Sequence, residues 1–209
     1  MNKDRLADLR ERGYDFEIKD ILERGLQMFL SQPLYSMAYT LLILTIQIIF
    51  ASYFPNFTLL YAVFLAPPLF TGFYYVANKI SLKQPVIYPD FFKGFSVALV
   101  VIPIWLVGQA LTALGIFAFI LPGVYLAVAY SFSVMMAIFG GFDFWTALEE
   151  SRKLITVRWW KFFLFSLFLI LINVLGVLFL FIGLIVTLPV TFYATYILFE
   201  DLTLDIFSE

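Results

Sequence analysis

The sequence predicts an all-α integral membrane protein, a polytopic bundle of six transmembrane helices arranged as three hairpins with cytoplasmic amphipathic elbow helices. The composition points there first: of 209 residues, 63% are hydrophobic and only 13% are charged, about half the charged share of a soluble domain. Apolar runs of ~20 residues, the helix length that crosses a bilayer, recur along the chain. These runs are solid rather than alternating, which excludes a transmembrane β-barrel. An open sheet would leave backbone groups unpaired in lipid.

The six predicted spans divide the chain into three regions. The spans cover residues 34–54, 57–78, 95–114, 116–139, 160–180 and 183–199. A weak turn at residues 180–183 separates the last two. We therefore expect a cytoplasmic amphipathic segment at residues 1–33, a membrane domain at 34–200 and a short cytoplasmic tail at 201–209.

The distribution of basic residues predicts the orientation. All 13 Lys and Arg residues lie in the amino-terminal segment, in the loop after the second span or in the loop after the fourth. The other turns, near residues 53–56, Gly115 and Gly183, carry no charge. Because basic loops stay in the cytoplasm, both termini are predicted to be cytoplasmic.

Two segments outside the spans, residues 15–30 and 143–156, are predicted to be interfacial helices. They open with Tyr14-Asp15-Phe16 and Phe142-Asp143-Phe144, in which Asp15 and Asp143 are candidate N-caps. In each segment apolar residues recur at helical spacing and charged residues occupy the other side, which is typical of helices in the headgroup plane.

The hairpins are predicted to be related repeats. In the second helix of each pair a proline follows a short apolar run, at Pro67-Pro68, Pro122 and Pro189, and aromatic residues follow each proline. Chance similarity in a chain with 26 phenylalanines is the alternative interpretation.

Few residues offer catalytic chemistry. The chain has no cysteine and no histidine, which excludes thiolate nucleophiles and imidazole bases. Glu149 and Glu150 are conceivable metal ligands or acid–base groups, but Arg152 and Lys153 follow at helical spacing and favour a solvated, salt-bridged face. We therefore expect no enzyme activity, no metal and no cofactor.

Polar side chains within the spans are the remaining candidates. No ionisable residue lies at mid-depth, which counts against a pump. Gln47, Gln109 and Asn173 each lie in the first helix of one hairpin. We expect these amides to turn toward neighbouring helices in a packed centre, each hydrogen bond contributing ~1 kcal/mol. A polar substrate path is the alternative.

Three stretches carry a resemblance to a known family: the amphipathic entry at residues 15–29, the run Leu121 to Leu126, and residues 147–154 leading into Arg158-Trp159-Trp160-Lys161-Phe162-Phe163. Together they resemble a large group of bacterial six-helix membrane proteins similar to the membrane domain attached to some glycerophosphoryl diester phosphodiesterases. The catalytic barrel of those enzymes has no counterpart in this chain, so their activity does not carry over. The resemblance implies six helices in the bacterial inner membrane.

The sequence therefore favours a non-catalytic membrane protein that acts through membrane lipids, or through a membrane or cytoplasmic protein partner, at its cytoplasmic face. Six charged residues around the fourth loop form the candidate interaction surface: Glu149, Glu150, Arg152, Lys153, Arg158 and Lys161. The alternative is a small permease for an uncharged or amphiphilic solute. No nucleic-acid partner is expected, and the oligomeric state is left open.

Overall fold

The computed structural model of the chain describes residues 2–179 and 182–207. Throughout these residues the regular secondary structure is helical, without a β-strand. The α-helices are α1 (Asn2–Arg12), α2 (Ile18–Ser31), α3 (Pro33–Tyr53), α4 (Thr58–Leu60), α5 (Ala66–Ser81), α6 (Ala98–Ala118), α7 (Ile120–Ala129), α8 (Ser133–Ile138), α9 (Phe144–Thr156), α10 (Trp159–Leu178) and α11 (Leu184–Phe207). Short 3₁₀ segments at Pro55–Phe57 and Tyr88–Val97 and a π-helix at Tyr61–Leu65 join them.

Within the described residues, six helical segments are long and apolar enough to cross a membrane: Pro33–Tyr53, Pro55–Ser81, Tyr88–Ala118, Ile120–Ile138, Trp159–Leu178 and Leu184–Phe207. For the part of the chain that the structure describes, the prediction of an all-helical fold with six candidate spans is thus confirmed. The protein belongs to the class of multi-pass membrane proteins.

The turn predicted at Gly115 is wrong. Helix α6 continues through Gly115 to Ala118, and the chain reverses at Phe119, whose backbone is extended (φ −157°, ψ 135°). A Cβ on Gly115 would lie 2.9 Å from the Cα of Gly123. The glycine therefore allows α6 and α7 to approach closely, and it does not end the helix.

The carboxyl-terminal boundary also differs from the expected one. Helix α11 runs to Phe207, past the predicted end of the span at residue 199. Thr203 and Ile206 are buried, and the Phe207 ring stacks on Phe199. Residues 201–207 are therefore packed helix rather than a loose tail.

The turn predicted at residues 180–183 lies partly outside the described residues. Leu180 and Phe181 lie outside the described residues, while α10 ends at Leu178 and α11 begins at Leu184. The break between the last two spans thus falls between those positions.

The described residues group into two compact units. The first unit comprises residues 2–17, 99–167 and 198–207, and its core includes Phe132, which contacts the rings of Phe162 and Phe199.

The second unit comprises residues 18–98 and 168–197. Its core contains the buried rings of Tyr39, Phe73 and Phe91. Gly72 lies so close to the carbonyl oxygen of Phe91 that an added Cβ would stand 1.8 Å away.

Candidate functional site

Glu150 of α9 lies at the centre of the charged cluster in the first unit. It is only 4% exposed and accepts a hydrogen bond from Arg10 Nη1 at 2.5 Å and another from Lys153 Nζ at 3.0 Å. Helical spacing places Glu150 beside Ala147 and Leu154, which are also buried. Helix α1, which carries Arg10, therefore covers this part of α9.

Glu149 lies on a more open side of α9. Arg152 holds it with two hydrogen bonds, Nε to Oε1 at 3.2 Å and Nη2 to Oε2 at 2.8 Å. Arg152 Nη1 also donates to the Tyr125 hydroxyl at 3.5 Å, and that hydroxyl lies 2.7 Å from Thr156 Oγ1. The bidentate pair fixes the Arg152 side chain between α9 and α7.

The linker between α1 and α2 docks on the start of α10. Arg158 Nε donates to the carbonyl oxygen of Tyr14 at 3.1 Å, and Lys161 donates to the Asp15 carboxylate. The Lys161 ammonium also lies 5.3 Å from the centre of the Phe16 ring. The Tyr14 hydroxyl in turn donates to the carbonyl of Leu154.

The two aspartates predicted as caps behave differently. Asp143 caps α9, since its Oδ1 accepts from the backbone amides of Trp145 and Thr146 at 3.1 Å each. Asp15 does not cap α2, which begins only at Ile18. Asp15 accepts a hydrogen bond from Lys161 instead. The prediction that Asp15 is an N-cap is therefore wrong.

Hydrogen bonding holds these carboxylates in their charged forms. The Arg152 guanidinium keeps the pKa of Glu149 below its usual value. Burial acts to raise the pKa of Glu150, but the hydrogen bonds from Arg10 and Lys153 outweigh it, and the net pKa is lowered. Hydrogen bonds from Lys161 to Asp15 and from Thr146 to Asp143 lower the pKa of those two groups as well.

All six predicted surface residues lie in this one cluster, but they are not equivalent. Glu150 is buried under α1 and is part of the packing, so its assignment to an interaction surface is wrong. Lys153 and Arg158 are exposed, while Glu149, Arg152 and Lys161 are half-buried. The ion pairs of Glu149 and Glu150 show that much of the charge on α9 is satisfied inside the unit.

Large apolar side chains are exposed next to these charges. Trp160 is 73% exposed and Trp145 52% exposed, and Phe144 and Val157 are also exposed. Trp160 precedes Lys161 and follows the exposed Arg158 by two residues. This combination of indole rings and basic groups suits the region where headgroups meet acyl chains.

The intramembrane amides only partly match the expectation. Asn173 Nδ2 donates to Thr191 Oγ1 at 2.6 Å, and its Oδ1 accepts from Thr187 Oγ1 at 3.1 Å, which links α10 to α11.

Gln47 and Gln109, in contrast, are exposed, and the expectation that they turn toward neighbouring helices is wrong. On α3 the buried stripe of Ser36, Thr40 and Ile43 ends one turn before Gln47. On α6 the buried residues are Val101, Ile104 and Gly108, and Gln109 lies next to this stripe but not in it.

Sequence reasoning missed a second buried carboxylate. Asp90 in the second unit is 2% exposed and pairs with Lys79 Nζ at 2.7 Å and with Lys93 Nζ at 2.9 Å. It also accepts from the backbone amide of Ile87 at 2.9 Å. The run Tyr88-Pro89-Asp90-Phe91 is similar to the two aromatic–aspartate–phenylalanine runs, with a proline inserted before the aspartate, and this similarity could have pointed to Asp90.

Arg10 and Tyr14, which hold the amino-terminal segment in place, were also missed. Their partners lie 140 residues away along the chain, and no local sequence pattern predicts such contacts. Within the described residues no three acidic side chains come together in a group that could hold a metal ion.

The chain was compared with models of protein families, with curated proteins and with solved structures. No model of a protein family, no curated protein and no solved structure matches the chain significantly.

Proposed function

We propose that the chain is a non-catalytic multi-pass protein of the bacterial inner membrane that binds phospholipid headgroups at its cytoplasmic face. Six apolar helices and the one-sided distribution of 13 basic residues support this placement, with both termini in the cytoplasm and three hairpins entering from that side. The resemblance to the bacterial six-helix group supports the choice of membrane.

The observation that carries the proposal is the exposed aromatic and basic surface where α9 meets α10, formed by Val157, Arg158 and Trp160; Phe144 and Trp145 are also exposed, at the start of α9. Tryptophan prefers the boundary between headgroups and acyl chains. A basic residue near an anionic surface contributes about 1 kcal/mol of attraction. Together these side chains suit an anionic phospholipid better than a neutral one.

The contacts around α9 support a rigid platform for this surface. Tyr14 and Asp15 fix the side chains of Arg158 and Lys161, and Arg10 anchors α1 on Glu150. A surface ordered in advance loses little conformational entropy when a headgroup binds. The proposal keeps the expectation that α2 and α9 are each interfacial helices.

Lipid retention tests the proposal. We expect protein purified in mild detergent to retain anionic phospholipid, and the double variant Arg158→Gln, Trp160→Ala to retain markedly less. Ile170→Ala is the matched control, because Ile170 is 58% exposed on the same helix but lies further into the span. Equal lipid content in all three proteins, or retention of a stoichiometric protein partner on this surface instead of lipid, contradicts the proposal.

The exposed Gln47 favours a second candidate, a small permease for an uncharged or amphiphilic solute. Gln47 lies on the same side of α3 as Ser36, Thr40 and Ile43. Those three side chains are buried, whereas Gln47 is exposed. An unpacked amide in a span is suited to a polar solute. Solute-dependent flux into proteoliposomes that is lost in Gln47→Leu would establish this alternative.

A further inference from the structure

The turn between α6 and α7 presents an apolar tip. Phe117 is 93% exposed and Leu121 81% exposed, and Leu114, Ile116, Phe119 and Ile120 are exposed with them. No charged residue lies between residues 94 and 142. We call residues 114–121 the apolar tip.

Only a short length of α7 separates the apolar tip from the charged groups of α9. Tyr125 lies five residues after Ile120, which corresponds to about 8 Å of helix. Yet the Tyr125 hydroxyl already lies 2.7 Å from Thr156 Oγ1 and 3.5 Å from Arg152 Nη1, and the Tyr125 carbonyl accepts from Trp159 Nε1 at 3.3 Å.

Helix α6 provides a second, independent length between the apolar tip and α9. A Cβ on Gly108 would lie 3.5 Å from Leu148 Cδ2, so Gly108 is level with the packing face of α9. From Gly108 to Ala118 is ten residues, or about 15 Å of helix. On the returning arm, Ala129 accepts a hydrogen bond from Ser151 Oγ at 2.7 Å and lies nine residues after Ile120, or about 14 Å.

We infer that this second hairpin does not cross the bilayer but ends near its middle, where the apolar tip contacts the ends of acyl chains. The charged side chains of α9 belong at the level of the headgroups, because their cost in hydrocarbon is high. An arm of about 15 Å then reaches only half of the ~30 Å hydrocarbon layer. A tip in the opposite aqueous phase would expose all of these apolar side chains to water.

The first hairpin has a polar tip, and its returning arm is measured along the chain to the nearest charged residue. Its tip contains the polar Asn56, and 23 residues separate Asn56 from Lys79, which pairs with Asp90. That arm is roughly 34 Å long, enough for a complete crossing. Phe119 likewise lies 26 residues after Lys93 and 24 residues before Asp143, so the second hairpin is set apart by its contacts with α9 and not by its length along the chain. Asn56 is therefore the matched reference for Phe119.

Local structure lowers the cost of a turn inside hydrocarbon. Pro122 has no N–H, which removes one of the donors that the start of α7 would leave unpaired. The Phe119 amide donates to the Gly115 carbonyl at 3.0 Å. The inference requires that the first half of α6, in which Leu99 is 90% exposed, lies in the same leaflet as α9.

Depth measurement by spin labelling tests this inference. Single cysteines replace Phe119 or Asn56 in the native cysteine-free chain, carry a nitroxide and are studied in phospholipid vesicles with oxygen and a polar nickel chelate as relaxation agents. We expect oxygen to relax the label at 119 far more than nickel does, and the reverse at 56. Phe117→Cys provides a second site on the apolar tip, where an exposed side chain leaves the packing unchanged.

A label at 119 or 117 deeper than about 10 Å below the phosphates supports the mid-bilayer position, and a shallower label overturns it. Reaction of Phe119→Cys with a membrane-impermeant maleimide on either side of sealed vesicles overturns it as well. The result depends on α9 lying at a headgroup level and not on which lipid, partner or solute the protein binds, so it is distinguishable from failure of the proposed function.

Discussion

At the scale of single residues, Arg10 ties α1 to α9 through Glu150. We expect Arg10→Gln to lower the free energy of unfolding by about 2 kcal/mol, because Glu150 stays buried with only Lys153 beside it. The measurement is thermal unfolding in detergent. Arg12→Gln is the control, since Arg12 is exposed and donates to the Asp8 carbonyl of its own helix; equal stability of the two variants would contradict a role for the pair.

The same carboxylate predicts the acid sensitivity of the protein. The pKa of Glu150 in the folded protein lies below its usual value of 4.5, so the stabilisation is complete above that value and is lost as the pH falls through the folded pKa. We expect the Tm of the wild type to drop in this acid range. Glu150→Gln should show a smaller drop, and identical acid profiles would argue against the assignment.

The third prediction at this scale concerns the stability of variants of the amides within the spans. Asn173 joins α10 to Thr187 and Thr191, so Asn173→Leu should cost about 1 kcal/mol. Gln109 is exposed, and Gln109→Leu should leave stability within about 0.5 kcal/mol of the wild type. Comparison of the two melting temperatures checks the assignment, and a larger loss in Gln109→Leu would reverse it.

The sequence identified the amides within the spans but not which side chains they contact. An amide in an apolar run is visible in any sequence, whereas its partner depends on where two helices touch. Asn173 meets threonines because α10 and α11 pack closely, while the packed stripe of α3 ends before Gln47. The Arg10–Glu150 contact was beyond prediction for the same reason, since it joins distant parts of the chain.

At the scale of elements, glycine contacts set the closeness of the hairpin helices. A Cβ on Gly176 would lie 2.5 Å from Thr187 Oγ1 and 3.1 Å from the carbonyl carbon of Gly183. Gly176→Val should therefore push α10 from α11 and cost roughly 1–3 kcal/mol. Val174→Leu on the exposed side of α10 is the control, and an unchanged Tm in both variants would contradict close packing.

The helices themselves were predictable because apolar length is a strong signal, and most of their ends lie within a few residues of the predicted ones. The exceptions have physical causes. Gly115 supports close approach instead of a turn, and α11 continues because Thr203 and Ile206 find buried positions beyond the span. The helix at Asn2–Arg12 was not separated from α2, since its stability comes from docking through Leu6 rather than from an apolar run.

At the scale of the whole molecule, the central claim is the proposed orientation, in which both termini and the segments that carry the basic residues lie on the cytoplasmic side of the membrane. The most direct measurement is cysteine labelling in intact cells, because the native chain has no cysteine. Single cysteines at Asn56, in the uncharged turn of the first hairpin, and at Glu11, exposed on α1, are treated with an impermeant maleimide. The account predicts that Asn56→Cys reacts in intact cells and that Glu11→Cys reacts only after lysis. Labelling of Glu11→Cys in intact cells while Asn56→Cys stays silent would contradict it.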